Sequence, residues 1–516
     1  MYEVLANQSI RAFVRLHGSL LLIIILVSPL FLFRLAQSPH AWYDEGLNIN
    51  AAQTLANTSI FGLTTGMGIR LADPAIQTGP PLIALMGIVG KLFDNNLLAI
   101  RLVMGIFGLL TFLSLYALAY RLYGQFAAFL IILLLIMMPP TDTTSTFIWL
   151  SRQFLGEIPA ILCISLGCHL LLRDRPQAWV YVLVGIFWGL AIIIKSQVLL
   201  ILSVTVVIWV IFRLVTNKQD KFYWLLTAFI MFGLYGLDSV WRNGMAGSML
   251  ADNTAVLREG IAIHILPFRA VQNLQDWRTL VRLLLSVLTL SALWFFIKRT
   301  AKPSPIFQQQ TQPHRTIQNF LVLLISLWMV WFAFISIGWA RYSFIGIIFT
   351  FVVLSGVGSA LWSNLKLPTN TYAYMGLMLL ALLMGYFVNR NGLNDSMGDD
   401  FFKMVTDIKT HIPPDARILS MEWDADNFLP QHFIYPPTHV VNVITENAFI
   451  RENTDYAFDS LAACPQYILL GSLRLDATVL KPALDIATAQ PLFQEGIYQL
   501  YRVNTDQLPP SCPSKP

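Results

Sequence analysis

The chain is 516 residues long, 56% hydrophobic and only 12% charged, with a mean hydropathy of +0.61. Soluble domains carry roughly 25% charged residues, and soluble cores cannot hide this much Leu, Ile, Phe and Val. Disorder, a coiled coil and a disulfide-stapled secreted domain are excluded. The net charge of +5 is scattered without a basic run, which argues against nucleic acid as a partner. What remains is a polytopic α-helical membrane protein.

Apolar runs long enough to cross a bilayer, roughly 17–25 residues each, occur near 18–36, 98–119, 125–141, 155–172, 178–194, 198–214, 222–240, 279–297, 318–337, 342–362 and 371–389. A further run, Pro81 to Phe93, is too short to cross; it lies along the membrane surface or packs within a loop. With the N-terminus (Arg11, Arg15) inside, the loops at Arg121, Arg173/Arg175, Arg213/Lys218/Lys221, Lys298/Arg299/Lys302 and Lys366 all fall on the cytoplasmic side. That satisfies the positive-inside rule, and counting Pro81–Phe93 as a span would invert every one of them. The expectation is therefore eleven spans, a cytoplasmic N-terminus and an extracytoplasmic C-terminal domain. The first span lacks an A-x-A cleavage site and reads as an uncleaved anchor.

Charge divides the chain in two. Residues 1–389 hold 25 Lys+Arg against 13 Asp+Glu, whereas residues 390–516 hold 9 against 16. The first part is a membrane module with outer loops at about 37–97 and 241–278. The second is an acidic soluble domain with β-like runs at Arg417–Ser420, His439–Val443, Tyr467–Leu470 and Tyr498–Val503 and a helix-like stretch at Asp399–Thr410, an α/β composition. Cys163 and Cys168 lie in a span as packing residues. Cys464 and Cys512 both fall in the outer domain, where a disulfide is permitted and would pin the C-terminal tail. No cysteine spacing matches a metal site.

The first outer loop opens with Trp42-Tyr43-Asp44-Glu45-Gly46. Two aromatics of interfacial type fit an aromatic belt, but adjacent carboxylates just outside a membrane also fit a general base whose pKa is raised by partial desolvation. On a loop, neighbouring side chains point apart, so Asp44 and Glu45 are expected to have different roles. Further on stand Thr78-Gly79-Pro80-Pro81 and then Arg101 at the outer mouth of the second span. Arg152 and Glu157 flank an outward turn, either as a structural ion pair or as substrate contacts. Lys195 and Arg341, the latter followed by Tyr342, lie at outer span ends against the positive-inside bias. Two such cations point to an anion held at the outer leaflet. His264, in the second outer loop, is either a site residue or packing.

A carboxylate base, cations around it and a wall of spans suit a lipid-linked phosphosugar, and neither G-x-G-x-x-G nor a P-loop is present for a soluble nucleotide. The alternative class is a transporter or flippase of lipid-linked sugars. Such proteins bury ionisable groups at mid-membrane and often repeat their halves, whereas here the charges mark span ends and no repeat is evident. A third reading is a surface scaffold whose acidic tail binds partners.

The order of Asp44-Glu45, Pro80-Pro81-Leu82, Leu97–Arg101, Arg121-Leu122-Tyr123-Gly124, Arg152…Glu157-Ile158-Pro159 and Gly189-Leu190-Ala191…Lys195 resembles the GT-C membrane glycosyltransferases. The branch it is most similar to contains the protein O-mannosyltransferases and the lipid A aminoarabinose transferases. The resemblance covers residues 18–200, with Arg341-Tyr342 as an outlying match. It implies an inverting transferase that uses a polyprenyl-phosphate-linked sugar as donor, with membrane lipid as surroundings and an acceptor left open. Asp44 would activate the acceptor and Glu45 would help shape the site. Lys195 and Arg341 would lie near the lipid phosphate, with Arg101 and Arg152 as supporting cations. The family usually carries a His, Lys or Glu beside the Pro-Pro step, where this chain has Thr78 and Gly79; no metal is assigned, and divalent-metal dependence stays open.

Overall fold

The computed structural model describes residues 24–39, 43–65, 68–71, 76–138, 146–173, 177–216, 220–246, 312–336, 340–364, 371–393, 396–420, 422, 425, 428–434, 460–471 and 477–512. The expected span at 279–297, most of the second outer loop with His264, Trp42 and the run His439–Val443 lie outside them.

Helix α1 is described over 24–32. It is followed by α2 (Tyr43–Thr58), the hairpin β1 (Gly62–Thr65) and β2 (Gly68–Leu71), and α3 (Pro80–Leu92). Thus the first outer segment is not a loop: it holds two helices and a hairpin. Asp44 and Glu45 stand in the first turn of α2, where carboxylates meet the positive end of the helix dipole. Helix α2 has no apolar stripe to betray it. Its buried Asn50 and Thr54 instead bond to the hairpin: Asn50 Oδ1 accepts from Thr64 N (2.9 Å), and the Thr54 and Thr64 hydroxyls meet at 2.8 Å. Helix α3, started by prolines at its first positions, packs against α2 rather than crossing the bundle. Leu82, Ile83 and Met86 are buried while Ile88 and Leu92 stay exposed.

The membrane bundle continues through α4 (Leu97–Tyr123), α5 (Gln125–Ile136), α6 (Phe147–Leu150), α7 (Glu157–Leu171), α8 (Ala178–Ile194), α9 (Ser196–Val215) and α10 (Lys221–Ala246). Asn96 caps α4 by accepting from Leu98 N (2.9 Å), and Gly124, at φ 90°, breaks the chain between α4 and α5. After the undescribed stretch come α11 (Gln312–Phe334), a 3-10 turn (Ala340–Ser343), α12 (Phe344–Asn364) and α13 (Thr371–Leu393). Five described helices are long and apolar enough to cross a membrane: those spanning 97–123, 196–215, 221–242, 313–334 and 341–363. Helix α10 outruns its expected end at 240, its last turns carrying an Asp238–Arg242 ion pair at i,i+4. Glycines let helices approach closely: a Cβ at Gly185 on α8 would meet the Thr227 carbonyl of α10 at 2.8 Å. Large apolar side chains such as Phe229 and Phe387 remain exposed on the bundle's outside, the surface a lipid solvent covers.

Cross-links between helix ends sort them into two faces. On one, Arg121 donates to the His169 and Leu172 carbonyls, Ser359 to the Tyr123 carbonyl, and Arg213 pairs with Asp220. On the other, Asn389 near the end of α13 donates to the Ile136 carbonyl at the end of α5. The starts of α4 and α7 belong to this second face.

The C-terminal domain begins with α14 (Ser396–His411), then β3 (Arg417–Ser420), β4 (His432–Ile434), β5 (Tyr467–Leu470), α15 (Ala477–Asp485), β6 (Phe493–Glu495) and β7 (Tyr498–Arg502). The strands form a mixed sheet of order β4-β3-β5-β7-β6, with β3 parallel to both neighbours and β7 antiparallel to β5 and β6. Alternation along each strand sends Ile418, Phe433, Leu469 and Leu500 to the face where Phe401 and Ile408 of α14 pack. Leu419, Ile434 and Ile468 go to the other, beside Leu480 of α15. Cys464 and Cys512 are joined by a disulfide across 48 residues. The fold class expected from sequence is the one observed: a helical membrane module followed by an α/β domain.

Candidate active site

Four chain features meet on the second face: the start of α2, the start of α7, the break between α8 and α9, and the 3-10 turn before α12. The break falls on Lys195, whose backbone is extended (φ −138°, ψ 116°). Helical bonds lost there are replaced from outside. Gly79 N donates to the Ile194 carbonyl (2.9 Å), Ser196 N donates to the Gln77 carbonyl (3.2 Å), and Thr78 forms a bridge with Lys195. A Cβ at Gly79 would fall on the Ile193 carbonyl oxygen, so the strand-like step fits against the break only without a side chain. Gly156 has the same duty from the other side, since a Cβ would sit 2.8 Å from the Ile194 oxygen and 3.2 Å from Lys195 Cδ.

This geometry places Lys195 Nζ 2.9 Å from Oε1 of Glu157, the first residue of α7, with both side chains buried. Arg341 Nε lies 3.1 Å from the same carboxylate oxygen, and its Nη1 forms an ion pair with Asp44. Asp44, Arg341, Glu157 and Lys195 are therefore one cluster of two negative and two positive charges. Lys195 and Arg341 are not free-standing, as their positions in the sequence imply, but neutralised by carboxylates from α2 and α7. A buried charge demands this, because desolvation is tolerated only when charges are paired.

Tyr342 extends the cluster. Its hydroxyl accepts from Gln77 Nε2, and Gln77 Oε1 accepts from Gln197 Nε2 (2.7 Å). Its ring stacks on Trp331 at 6.0 Å, and its carbonyl accepts from Trp328 Nε1 (2.8 Å), which anchors the 3-10 turn to α11. Sequence reasoning missed Gln77 and Gln197. The available signal was a lone amide two residues past Lys195 in an otherwise apolar helix start.

Glu45 has different surroundings from Asp44. It is fully buried and held bidentately by Arg101, with Nε to Oε1 at 2.9 Å and Nη2 to Oε2 at 2.6 Å. Oε1 also accepts from Phe154 N (3.1 Å), while Asn48 Nδ2, one turn along α2, donates to the Phe154 carbonyl (2.6 Å). The remaining edge of Arg101 is also occupied: Nη1 donates to the Leu35 (3.0 Å) and Pro39 (2.8 Å) carbonyls. Arg152 forms no pair with Glu157. Its Nη1 donates to the Leu30 carbonyl (2.9 Å), Nε and Nη2 to the Ser38 carbonyl (3.0 and 2.7 Å), and Nη2 also to the Phe33 carbonyl. Burial, and then the charges of Arg101 and Arg34, lowers its pKa. A turn after a buried helix end leaves carbonyls without partners, and the planar guanidinium fork, with five donors, satisfies them in a way lysine cannot. As arranged, Arg101 and Arg152 offer a lipid phosphate little.

Among the described residues no group of three or more His, Cys, Asp or Glu side chains is placed to hold a metal ion.

Solved structures share this fold. The structure of ArnT from Cupriavidus metallidurans bound to undecaprenyl phosphate matches with a TM-score of 0.59 at 13% identity, over 94% of this chain and 98% of that one. Its apo state matches at 0.59 and 12%, over 96% and 99%. The apo oligosaccharyltransferase of Archaeoglobus fulgidus matches at 0.51 and 12%, over 88% of this chain and 69% of that one. Residues 78–236 match the family described as dolichyl-phosphate-mannose-protein mannosyltransferase, a stretch that holds Arg101, Arg152, Glu157 and Lys195 but neither Asp44 nor Arg341. No curated protein matches the sequence. With this fold and five helices suited to crossing, the chain is an integral membrane protein.

Proposed function

We propose that this protein transfers a sugar from a polyprenyl-phosphate carrier to an acceptor, with Asp44 as general base. The reading is carried by the Asp44–Arg341–Glu157–Lys195 cluster. Of the three carboxylates at the site, Glu45 and Glu157 have side chains fully shielded, whereas 28% of the Asp44 side chain is open. A base must reach the proton it removes, which singles out Asp44. The fold shared with ArnT, solved with undecaprenyl phosphate bound, supports a lipid-carried donor.

The step is a single in-line displacement. The acceptor's O–H or N–H gives its proton to Asp44 as its lone pair bonds the anomeric carbon. The bond from that carbon to the phosphate oxygen breaks, and the electron pair leaves with the phosphate, inverting the configuration. Protonation removes the charge of Asp44 just as the departing phosphate gains one. Arg341, the more open of the two cluster cations, then turns its charge from Asp44 to the phosphate, with Lys195 alongside. Glu157 holds both cations ready. Glu45, Arg101 and Arg152 shape the site by fixing the start of α2.

The basic residues Arg121, Arg173, Arg213 and Lys221 belong to the helix ends opposite the cluster. Positive-inside bias supports an extracytoplasmic cluster and C-terminal domain and a cytoplasmic N-terminus. The test is transfer from radiolabelled polyprenyl-phosphate sugars by the purified full chain in proteoliposomes. Asp44→Asn should lower turnover by about 10²–10⁴-fold; turnover equal to the unaltered protein would remove Asp44 from the chemistry.

A further inference from the structure

The turn after α1 is held from three sides, and one of those holds comes from the C-terminal domain. Arg34, at φ 50°, starts the turn. The carbonyls that follow are claimed by two buried guanidinium groups: Arg152 takes Ser38, and Arg101 takes Leu35 and Pro39. The other edge of Arg101 grips Glu45, the immediate neighbour of Asp44. From the opposite direction, Arg34 Nη2 donates to both oxygens of Asp399 at 2.8 Å. Gly398 is pressed so closely on the Gln37 carbonyl that a Cβ there would overlap it. Gly398 and Asp399 are in the first turn of α14, the helix that covers one face of the C-terminal sheet.

We propose that the C-terminal domain sets the position of Asp44 through this turn, with Arg34, Gly398 and Asp399 as positioning residues for transfer. The inference rests on the reading of Asp44 as base. The path is short and made of directional contacts: α14 to the turn, the turn to Arg101, Arg101 to Glu45, and Glu45 to the first turn of α2. The Arg34–Asp399 pair is part-exposed, with side chains 30% and 45% open, and such pairs are weak alone. The backbone contact at Gly398 is the firmer grip, and the ion pair fixes its register. A base must be held within a fraction of an ångström of its proton, and a displacement of about 1 Å can cost on the order of 10²-fold in rate.

The experiment compares full-length variants in proteoliposomes. Arg34→Gln and Asp399→Asn are expected to lower kcat about two- to fivefold, and Gly398→Ala about tenfold or more, each leaving the donor KM unchanged. The exchanged pair Arg34→Asp with Asp399→Arg is expected to restore kcat to within about twofold. Amide hydrogen exchange over residues 43–50 should quicken in Gly398→Ala, a readout that needs no transfer activity. Should the unaltered protein transfer no polyprenyl-phosphate sugar, the functional reading fails while exchange still tests the coupling. Unchanged exchange over 43–50 in both Gly398→Ala and Asp399→Asn overturns the inference, as does a kcat loss that the exchanged pair does not recover.

Discussion

Lys195 and Glu157 face each other at 2.9 Å where one helix breaks and another begins, each almost wholly shielded from solvent. The pair joins the α8–α9 break to the start of α7, and Arg341 shares the same carboxylate oxygen. Removing Glu157 leaves the buried Lys195 without a carboxylate partner, whereas Glu157 without Lys195 would still face Arg341. Glu157→Leu should therefore destabilise the protein by about 3–5 kcal/mol. Replacing both, as Lys195→Met with Glu157→Leu, should recover much of that stability without recovering transfer. Thermal unfolding in detergent beside a transfer assay separates the two effects; a double variant less stable than the single would contradict the assignment.

Arg341 bridges two carboxylates with different edges of its guanidinium. Lysine keeps the charge but presents no planar fork. Arg341→Lys should fold yet lose about 10²-fold or more in kcat, the scale of one lost charge-stabilising donor. Full activity in Arg341→Lys would show that the fork is not used.

Arg101 and Glu45 form the other buried pair, 2.6 Å at its shortest. Its work is structural, so Arg101→Met should lower stability by about 3–5 kcal/mol. Glu45→Gln, which keeps acceptor and shape, should cost less in stability than Arg101→Met and reduce kcat less than Asp44→Asn. A Glu45→Gln variant as inactive as Asp44→Asn would return Glu45 to the chemistry.

Gly79 meets the Ile193 carbonyl with no room for a methyl group. Gly79→Ala must push the Gln77–Gly79 step away from the α8–α9 break, loosening Gln77, Tyr342 and Lys195 together. Transfer is expected to fall about 10²-fold, with donor binding weakened as well. Wild-type kinetics in Gly79→Ala would mean that the step and the break are not coupled.

The disulfide Cys464–Cys512 closes a loop of 48 residues. On a chain-entropy account, such a cross-link contributes about 4 kcal/mol at most. Serine at both positions should make the C-terminal domain cleavable at lower protease concentration while leaving the membrane helices protected. Equal protease resistance would assign the bond no stabilising role.

Much of this molecule can be read from its sequence, because hydrophobic length and charge placement are local signals. The helical module followed by an α/β domain and the strands Arg417–Ser420 and Tyr467–Leu470 follow from runs in one stretch of chain. What stays hidden is pairwise. That Arg152 serves the carbonyls of α1 and not Glu157, five residues away, depends on a helix end more than a hundred residues earlier. Helix α2 is masked for another reason. It is buried all round over residues 45–52, where Leu47, Ile49, Ala51 and Ala52 alternate with Asn48 and Asn50, polar residues satisfied by partners no periodicity records. Gly79 looks like a missing ligand in the sequence and proves to be a steric requirement of the break at Lys195.

In the proposed transferase the Asp44–Arg341–Glu157–Lys195 cluster receives the phosphate of a lipid-carried sugar. A structure of the full chain with polyprenyl phosphate bound tests it most directly. Phosphate oxygens are expected about 3 Å from Arg341 or Lys195, with the Asp44 carboxylate facing the side from which an acceptor approaches. A phosphate seated elsewhere on the protein, with both cations still paired only to Asp44 and Glu157, would contradict it.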